Sequence, residues 1–214
     1  MTSIAYPRGF DLALAQRTLA RRDPMLGHYM RRIGPLSFDW QRPFQPVDAL
    51  ARSIIFQQLS GRAAATIERR LRAALPNGPR IGAHDLAAAD PATLRACGVS
   101  ANKQRALVDL AAKTLDGSVP HANALRWLSD AELIARLSAI HGIGRWTVEM
   151  MLMFRLGRPD VLPVDDLGVR KGAMRLLELP AMPSPKALAE HGQRWAPWRS
   201  AAAFYLWRIA ELRD

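Results

Sequence analysis

Along most of the chain the apolar positions recur at intervals of three and four. Between Pro46 and Leu75, residues Val47, Leu50 and Ile54, then Ala63, Ile67, Leu71 and Leu75, fall on one helical face. The run Gln57-Gln58-Leu59-Ser60-Gly61 interrupts this rhythm, and its Ser-Gly pair predicts that one helix stops and another starts across a short exposed junction. Further helices are predicted over 92–97, 102–115, 130–139, 145–155, 167–179, 185–195 and 200–212, and residues 1–40 read as an amphipathic helix with a basic surface at Arg21-Arg22 and Arg31-Arg32. Gly98, Ser129-Asp130, the close pair Gly142 and Gly144, and Pro180, Pro183 and Pro185 supply stop and start signals at the joints. No comparable run alternates as a strand would, so the pattern predicts an all-α fold. The proline-rich stretches 42–46 and 180–185 are the candidate seams between two lobes, and both are too short to be flexible linkers.

Composition narrows the function classes. A hydrophobic fraction of 49% over 214 residues can build a core, which argues against disorder as the main state. Thirty Lys+Arg against nineteen Asp+Glu leave a formal charge of +11, pointing first to a polyanionic partner, with nucleic acid ahead of the alternative of a merely arginine-biased composition. The only lysines are Lys103, Lys113, Lys171 and Lys186, so nearly all the positive charge is arginine, whose planar fork grips phosphate and stacks on bases. One cysteine closes no internal disulfide and holds neither a thiolate zinc site nor an iron-sulfur cluster. No stretch approaches the ~20 apolar residues of a membrane span, and the start shows no signal-peptide pattern. The expectation is a cytoplasmic protein with no membrane partner.

The segment richest in chemistry is Leu137-Ser138-Ala139-Ile140-His141-Gly142-Ile143-Gly144-Arg145-Trp146-Thr147, followed by Asp160-Val161-Leu162-Pro163-Val164-Asp165-Asp166-Leu167-Gly168-Val169-Arg170-Lys171-Gly172. A helix that ends in Gly-Ile-Gly and restarts at once makes a tight hairpin beside a helix N-terminus, a place suited to a phosphate. Both glycines are read as needed, for positive φ and for close approach of the anion, and the Thr147 hydroxyl as a further donor. Many helical hairpins use Gly-x-Gly merely to turn.

Taken together, these two blocks resemble the helix-hairpin-helix DNA glycosylases, in particular the 3-methyladenine DNA glycosylase II family in a compact form. The resemblance also takes in Ser53 to Ser60, Gly98-Val99-Ser100 through Lys103, and Trp195-Ala196-Pro197-Trp198-Arg199-Ser200 through Trp207, so it spans roughly residues 45 to 212. It implies two helical lobes, 46–160 carrying the hairpin at about 133–155 and 1–45 with 161–214 completing a cleft for DNA and base. It implies excision of alkylated purines, 3-methyladenine and 7-methylguanine, from double-stranded DNA as the first step of base excision repair, by a monomer associated with the nucleoid.

The resemblance also implies residue roles. Asp166 matches the catalytic carboxylate; an ionised carboxylate in a water-poor pocket stabilises the positive charge that grows on the sugar. The competing role for an aspartate here is to cap the helix starting near Leu167, and both can hold at once, with Asp165 structural. Trp146 stands where relatives that also cut the strand have a Schiff-base lysine, which implies release of the base by water alone. Trp146 and Trp207 match the base pocket, where electron-rich rings attract a cationic base; Trp40, Trp127, Trp195 and Trp198 are read as core. Leu59 matches the residue that fills the gap left by a flipped base, with Gln58 beside it in the minor groove, against the alternative of a buried helix-end leucine. Gly142, Gly144 and Thr147 match the phosphate grip. The backbone carbonyls of Ser138, Ile140 and Ile143 match a site for Na+ or K+; no cofactor is otherwise required. The alternatives left open are a glycosylase of this fold for uracil, hypoxanthine or ethenoadenine, and a DNA-binding module without catalysis.

Overall fold

The computed structural model describes residues 5–212. Among the described residues all regular structure is helical. Two helices open the chain, α1 (Leu12–Arg22) and α2 (Pro24–Ile33). The pattern read this region as a single helix; Asp23 and Pro24 divide it, because the Asp23 carboxylate caps α2 and the proline takes its first position, where no N–H is needed.

The chain then forms α3 (Pro46–Phe56), α4 (Gly61–Ala74), α5 (Ala83–Ala88), α6 (Pro91–Ala96), α7 (Ala101–Leu115), a 3-10 turn at Leu125–Trp127, α8 (Asp130–Ser138) and α9 (Arg145–Met151), which continues as a π-turn over Leu152–Leu156. After these come α10 (Leu167–Leu176), α11 (Pro185–His191) with a 3-10 turn at Gly192–Trp195, and α12 (Arg199–Glu211). Most boundaries match the predicted ones within a residue or two. Helix α5 was not predicted: six residues with Leu86 as the only large apolar side chain carry too little periodicity.

Two compact units result, one of residues 43–148 with Ala5 and Tyr6, the other of 7–42 with 149–212. The division runs through α9, whereas the sequence reading put it after residue 160; an uninterrupted helix carries no break signal. In the first unit α7 is the central element. Its buried Ala106, Leu107, Leu110 and Ala111 pack against Leu50, Ala51, Ile54 and Ile55 of α3 and Ala83 and Leu86 of α5. The start of α8 is fixed by a capping box, in which Ser129 accepts from the Glu132 N–H while the Glu132 carboxylate accepts from the Ser129 N–H.

The second unit is built on α12, whose residues Ser200–Leu206 and Ile209 are all buried, as a helix apolar on every side must be. Helices α2 and α10 pack on it. A Cβ at Gly172 would collide with the Leu206 carbonyl, so the α10 and α12 backbones meet where only glycine fits. The Arg199 guanidinium forks onto Asp160 at 2.7 and 2.8 Å, and the Ser200 hydroxyl accepts from the Val161 N–H at 2.9 Å. These contacts fix the segment leading into Asp166 against the first turn of α12.

Candidate functional site

In the first unit, two exposed turns are joined. Helix α3 ends at Phe56, and Ser60 caps α4 by accepting from the Ala63 N–H. Between them Leu59 is 41% exposed and Gln58 holds a left-handed φ of 56°. Leu59 is therefore not the buried helix-end leucine of the alternative reading.

The second turn is the hairpin between α8 and α9. Ile140 and Ile143 are buried, and the Ile143 N–H donates to the Ile140 carbonyl at 3.0 Å. Gly142 has a φ of 77°, and a Cβ there would lie 3.1 Å from that of Ala106, so the turn sits tightly on α7. Asp109 of α7 accepts from the His141 N–H at 2.7 Å, and Gln57 donates to the Gly142 carbonyl at 2.8 Å, tying the two turns together. The Lys113 ammonium, then the His141 N–H, hold the Asp109 carboxyl below its usual range. The sequence reading asked both glycines for positive φ. Only Gly142 adopts it; Gly144 does not, and a Cβ there would meet open space, so its case rests on room for an anion. Thr147 is only 6% exposed, which leaves its hydroxyl little surface to offer a phosphate. Trp146, by contrast, stands 47% exposed in the first turn of α9.

The second unit holds the acidic residue. Asp166 caps α10, its Oδ1 accepting from the Val169 N–H at 2.8 Å and from the Trp207 indole N–H at 2.8 Å. The cap and a link to a pocket tryptophan thus meet on one oxygen. Gly168 makes this possible: a Cβ there would come 2.7 Å from Trp207 Cδ1 and 3.1 Å from Asp166 Oδ1. Asp165 is exposed in the preceding turn, and Lys171 is exposed on α10.

Trp207 is half-buried and forms one wall of an aromatic cavity of about 340 Å³ with Phe38, Phe154 and Phe204, near Ser37 and Glu211. Its ring stacks on Phe154 with centroids 5.7 Å apart. Sequence reasoning missed all three phenylalanines, which lie on three separate segments and form no motif. Of the tryptophans read as core, Trp40 and Trp195 are buried and Trp198 is half-buried, but Trp127 is 43% exposed, with the Arg126 guanidinium 4.6 Å over its ring. A three-residue 3-10 turn has no helical face to bury, so the period that places tryptophans inside does not reach it.

The structure thus brings Asp166 together with Trp207, and Gln57, Gln58 and Leu59 together with Gly142, while Trp146 lies in the first unit with the hairpin. Among the described residues no three of His, Cys, Asp or Glu converge on a metal site, and no helix is long and apolar enough to cross a membrane.

Comparison with known proteins finds that the profile of the HhH-GPD superfamily of base excision DNA repair proteins matches residues 51–197. DNA-3-methyladenine glycosylase 1 of Schizosaccharomyces pombe is 41% identical over 170 residues, covering 79% of this chain and 75% of that protein. Among solved structures, the Schizosaccharomyces pombe 3-methyladenine DNA glycosylase in complex with abasic DNA superposes with a TM-score of 0.83 at 37% identity, over 94% of this chain and 98% of that one. A DNA-3-methyladenine glycosidase from Bacillus halodurans superposes with the same TM-score of 0.83 at 32% identity, over 92% and 89%.

Proposed function

The chain belongs to the HhH-GPD superfamily of base excision DNA repair proteins, and from that premise we propose that it is a monofunctional DNA glycosylase releasing alkylated purines, 3-methyladenine and 7-methylguanine, from double-stranded DNA. The observation that carries the reading is the 2.8 Å hydrogen bond from the Trp207 indole to Asp166, which ties a carboxylate to one wall residue of an aromatic cavity.

Methylation at a purine ring nitrogen gives the base a positive charge and weakens its bond to the sugar. The rings of Trp207 and Phe154 attract such a base by their negative faces and stack on it. As the C1′–N bond breaks, its electrons return to the base, which leaves neutral, and the sugar takes up the positive charge. The Asp166 carboxylate opposes that charge. Water then adds its oxygen to C1′ and loses a proton, leaving an abasic site. Because the base leaves neutral, no strong acid is required. With tryptophan at 146 no amine is offered to the sugar at the position where strand-cutting relatives carry a lysine, so the reading is of base release by water without strand cleavage.

Leu59 fills the place of the extruded base, Gln58 lies in the minor groove, and the turn at Gly142 and Gly144 grips the backbone. A Na+ or K+ at the carbonyls of Ser138, Ile140 and Ile143 belongs to the same reading. Three features fit it: the negative end of α8 points there, the Ile140 carbonyl retains a lone pair beyond its bond to Ile143, and the buried Ser138 hydroxyl has no hydrogen-bond partner. Such an ion would supply positive charge toward a phosphate. The protein acts as a monomer on chromosomal DNA.

The test is base release from duplexes that each carry one lesion, with chromatography of the freed base and borohydride trapping in parallel. Freed methylated purine, intact strands before alkali and no trapped adduct are expected. No release of either methylpurine, or a trapped adduct, would refute the reading.

A further inference from the structure

Gln58 holds φ 56°, a region that glycine enters freely and glutamine does not. A strained residue of this kind persists only where its surroundings over-determine it. Here they do so from both ends. Helix α3 ends without a glycine cap, and the Lys103 ammonium of α7 takes that place by donating to the carbonyls of Ile55 at 2.7 Å and Gln57 at 2.9 Å. A cation at the negative end of a helix, bonded to carbonyls that lack helical partners, is held by charge as well as by hydrogen bonds. Burial pushes the Lys103 amine below its ordinary value, the signature of an ammonium drawn partly out of water for this task. On the other side Ser60 fixes the start of α4, and Gln57 donates to the Gly142 carbonyl at 2.8 Å. Between the clamped ends the exposed Leu59 has little backbone freedom left.

We propose that Lys103 and Gln57 are positioning residues that hold Leu59 ready for insertion and lock it to the phosphate-gripping turn, so that seizing the backbone and filling the vacated base position are one event. The proposal rests on the glycosylase reading for its substrate. Its physical basis is that the ordering entropy of the wedge is lost when the protein folds and not when DNA binds, which leaves more of the binding energy to oppose re-stacking of the base.

The experiment compares Lys103→Met, Gln57→Ala and Lys103→Arg with the parent protein. Single-turnover release of 7-methylguanine is measured from a paired duplex and from the same lesion opposite an abasic site, where no pairing opposes extrusion. Loss of the charge-assisted bonds from Lys103 to the Ile55 and Gln57 carbonyls, or of the neutral bond from Gln57 to the Gly142 carbonyl, is expected to slow release from the paired duplex by about tenfold for Lys103→Met and Gln57→Ala, against less than about twofold from the unpaired lesion. Lys103→Arg, which can still reach both carbonyls, restores the paired rate. Equal losses on the two substrates would show a merely structural role, and no loss on either would show none; both overturn the proposal. Gln57→Ala alters a side chain in a surface junction and keeps the test available if Lys103→Met fails to fold. A second readout needs no catalysis: 2-aminopurine beside an abasic-site analogue brightens when the wedge unstacks it. If the parent protein brightens it but releases no base, the glycosylase reading fails while the positioning proposal is still decided by whether the variants lose that signal.

Discussion

The cap that Asp166 makes and the catalytic charge proposed for it can be separated by a pair of substitutions. Its Oδ1 accepts from Val169 N–H and from the Trp207 indole, both at 2.8 Å. Asp166→Asn retains an oxygen for both donors and a side chain of equal rank as a helix cap, so stability should move by less than about 1 kcal/mol. What it loses is the negative charge, and removing a group aimed at developing transition-state charge costs about 3–4 kcal/mol, or roughly 10²–10³ in rate. Asp166→Ala loses the charge and the cap together. The missing cap costs about 1 kcal/mol and the stranded indole N–H about 1–3 more. At about 2–4 °C per kcal/mol for a chain of this size, the alanine variant should melt roughly 4–16 °C lower while the asparagine variant melts within a few degrees of the parent. The assay is single-turnover release of 7-methylguanine beside a melting curve for each protein, with binding to an abasic-site duplex as a control. An asparagine variant that keeps the parent's rate would refute the chemical role of the carboxylate. One that melts as low as the alanine variant would refute the account of the cap.

Three further outcomes follow from the same geometry. Gly168→Ala puts a Cβ 2.7 Å from Trp207 Cδ1, so the indole must shift and the bond to Asp166 break; overpacking of about 1–3 kcal/mol and a loss of base release are expected, and a variant with the parent's rate and indole fluorescence would show that this placement does not matter. Leu59→Ala should leave the melting temperature unchanged, because Leu59 is 41% exposed, yet weaken binding to an abasic-site duplex by about tenfold or more, since a leucine buried in DNA is worth about 1.5–3 kcal/mol; parent-like affinity would remove the wedge. Burial, with Arg194 adding to it, holds the His191 imidazole below its ordinary value of 6.5. The unfolded chain therefore binds the proton first as pH falls, so this contribution to stability is complete above 6.5 and is lost below it. His191→Gln should flatten the fall in melting temperature between neutral pH and about pH 5.5, and an unchanged slope would exclude His191 as its source.

The periodic apolar positions were enough to place most helices, because a long amphipathic stripe is a local property of the chain. The two exposed turns of the first unit were legible for a related reason. Gly142 and the Ser60-Gly61 pair mark places where helical backbone cannot continue, and their neighbours Leu59 and Trp146 are exposed. Short elements escaped. Helix α5 has one large apolar side chain, and Trp127 belongs to a 3-10 turn with no face to bury. The break between α1 and α2 was written in Asp23-Pro24 but hidden by the continuous apolar pattern around it.

The sequence by itself determined the helical class, the hairpin, the junction between α3 and α4, and a carboxylate at the head of α10. Only the tertiary structure decided that this carboxylate shares an oxygen between its own helix and the Trp207 indole. The same holds for Phe38, Phe154 and Phe204, which converge from separate segments on one cavity, and for Lys103, which reaches back to the end of α3. The reason is the range of the interactions. A turn or a cap is settled among residues three or four apart, whereas a bond across 41 positions, as between Asp166 and Trp207, exists only after packing has brought two helices into register. Gly172 sets that register by letting α10 close on α12.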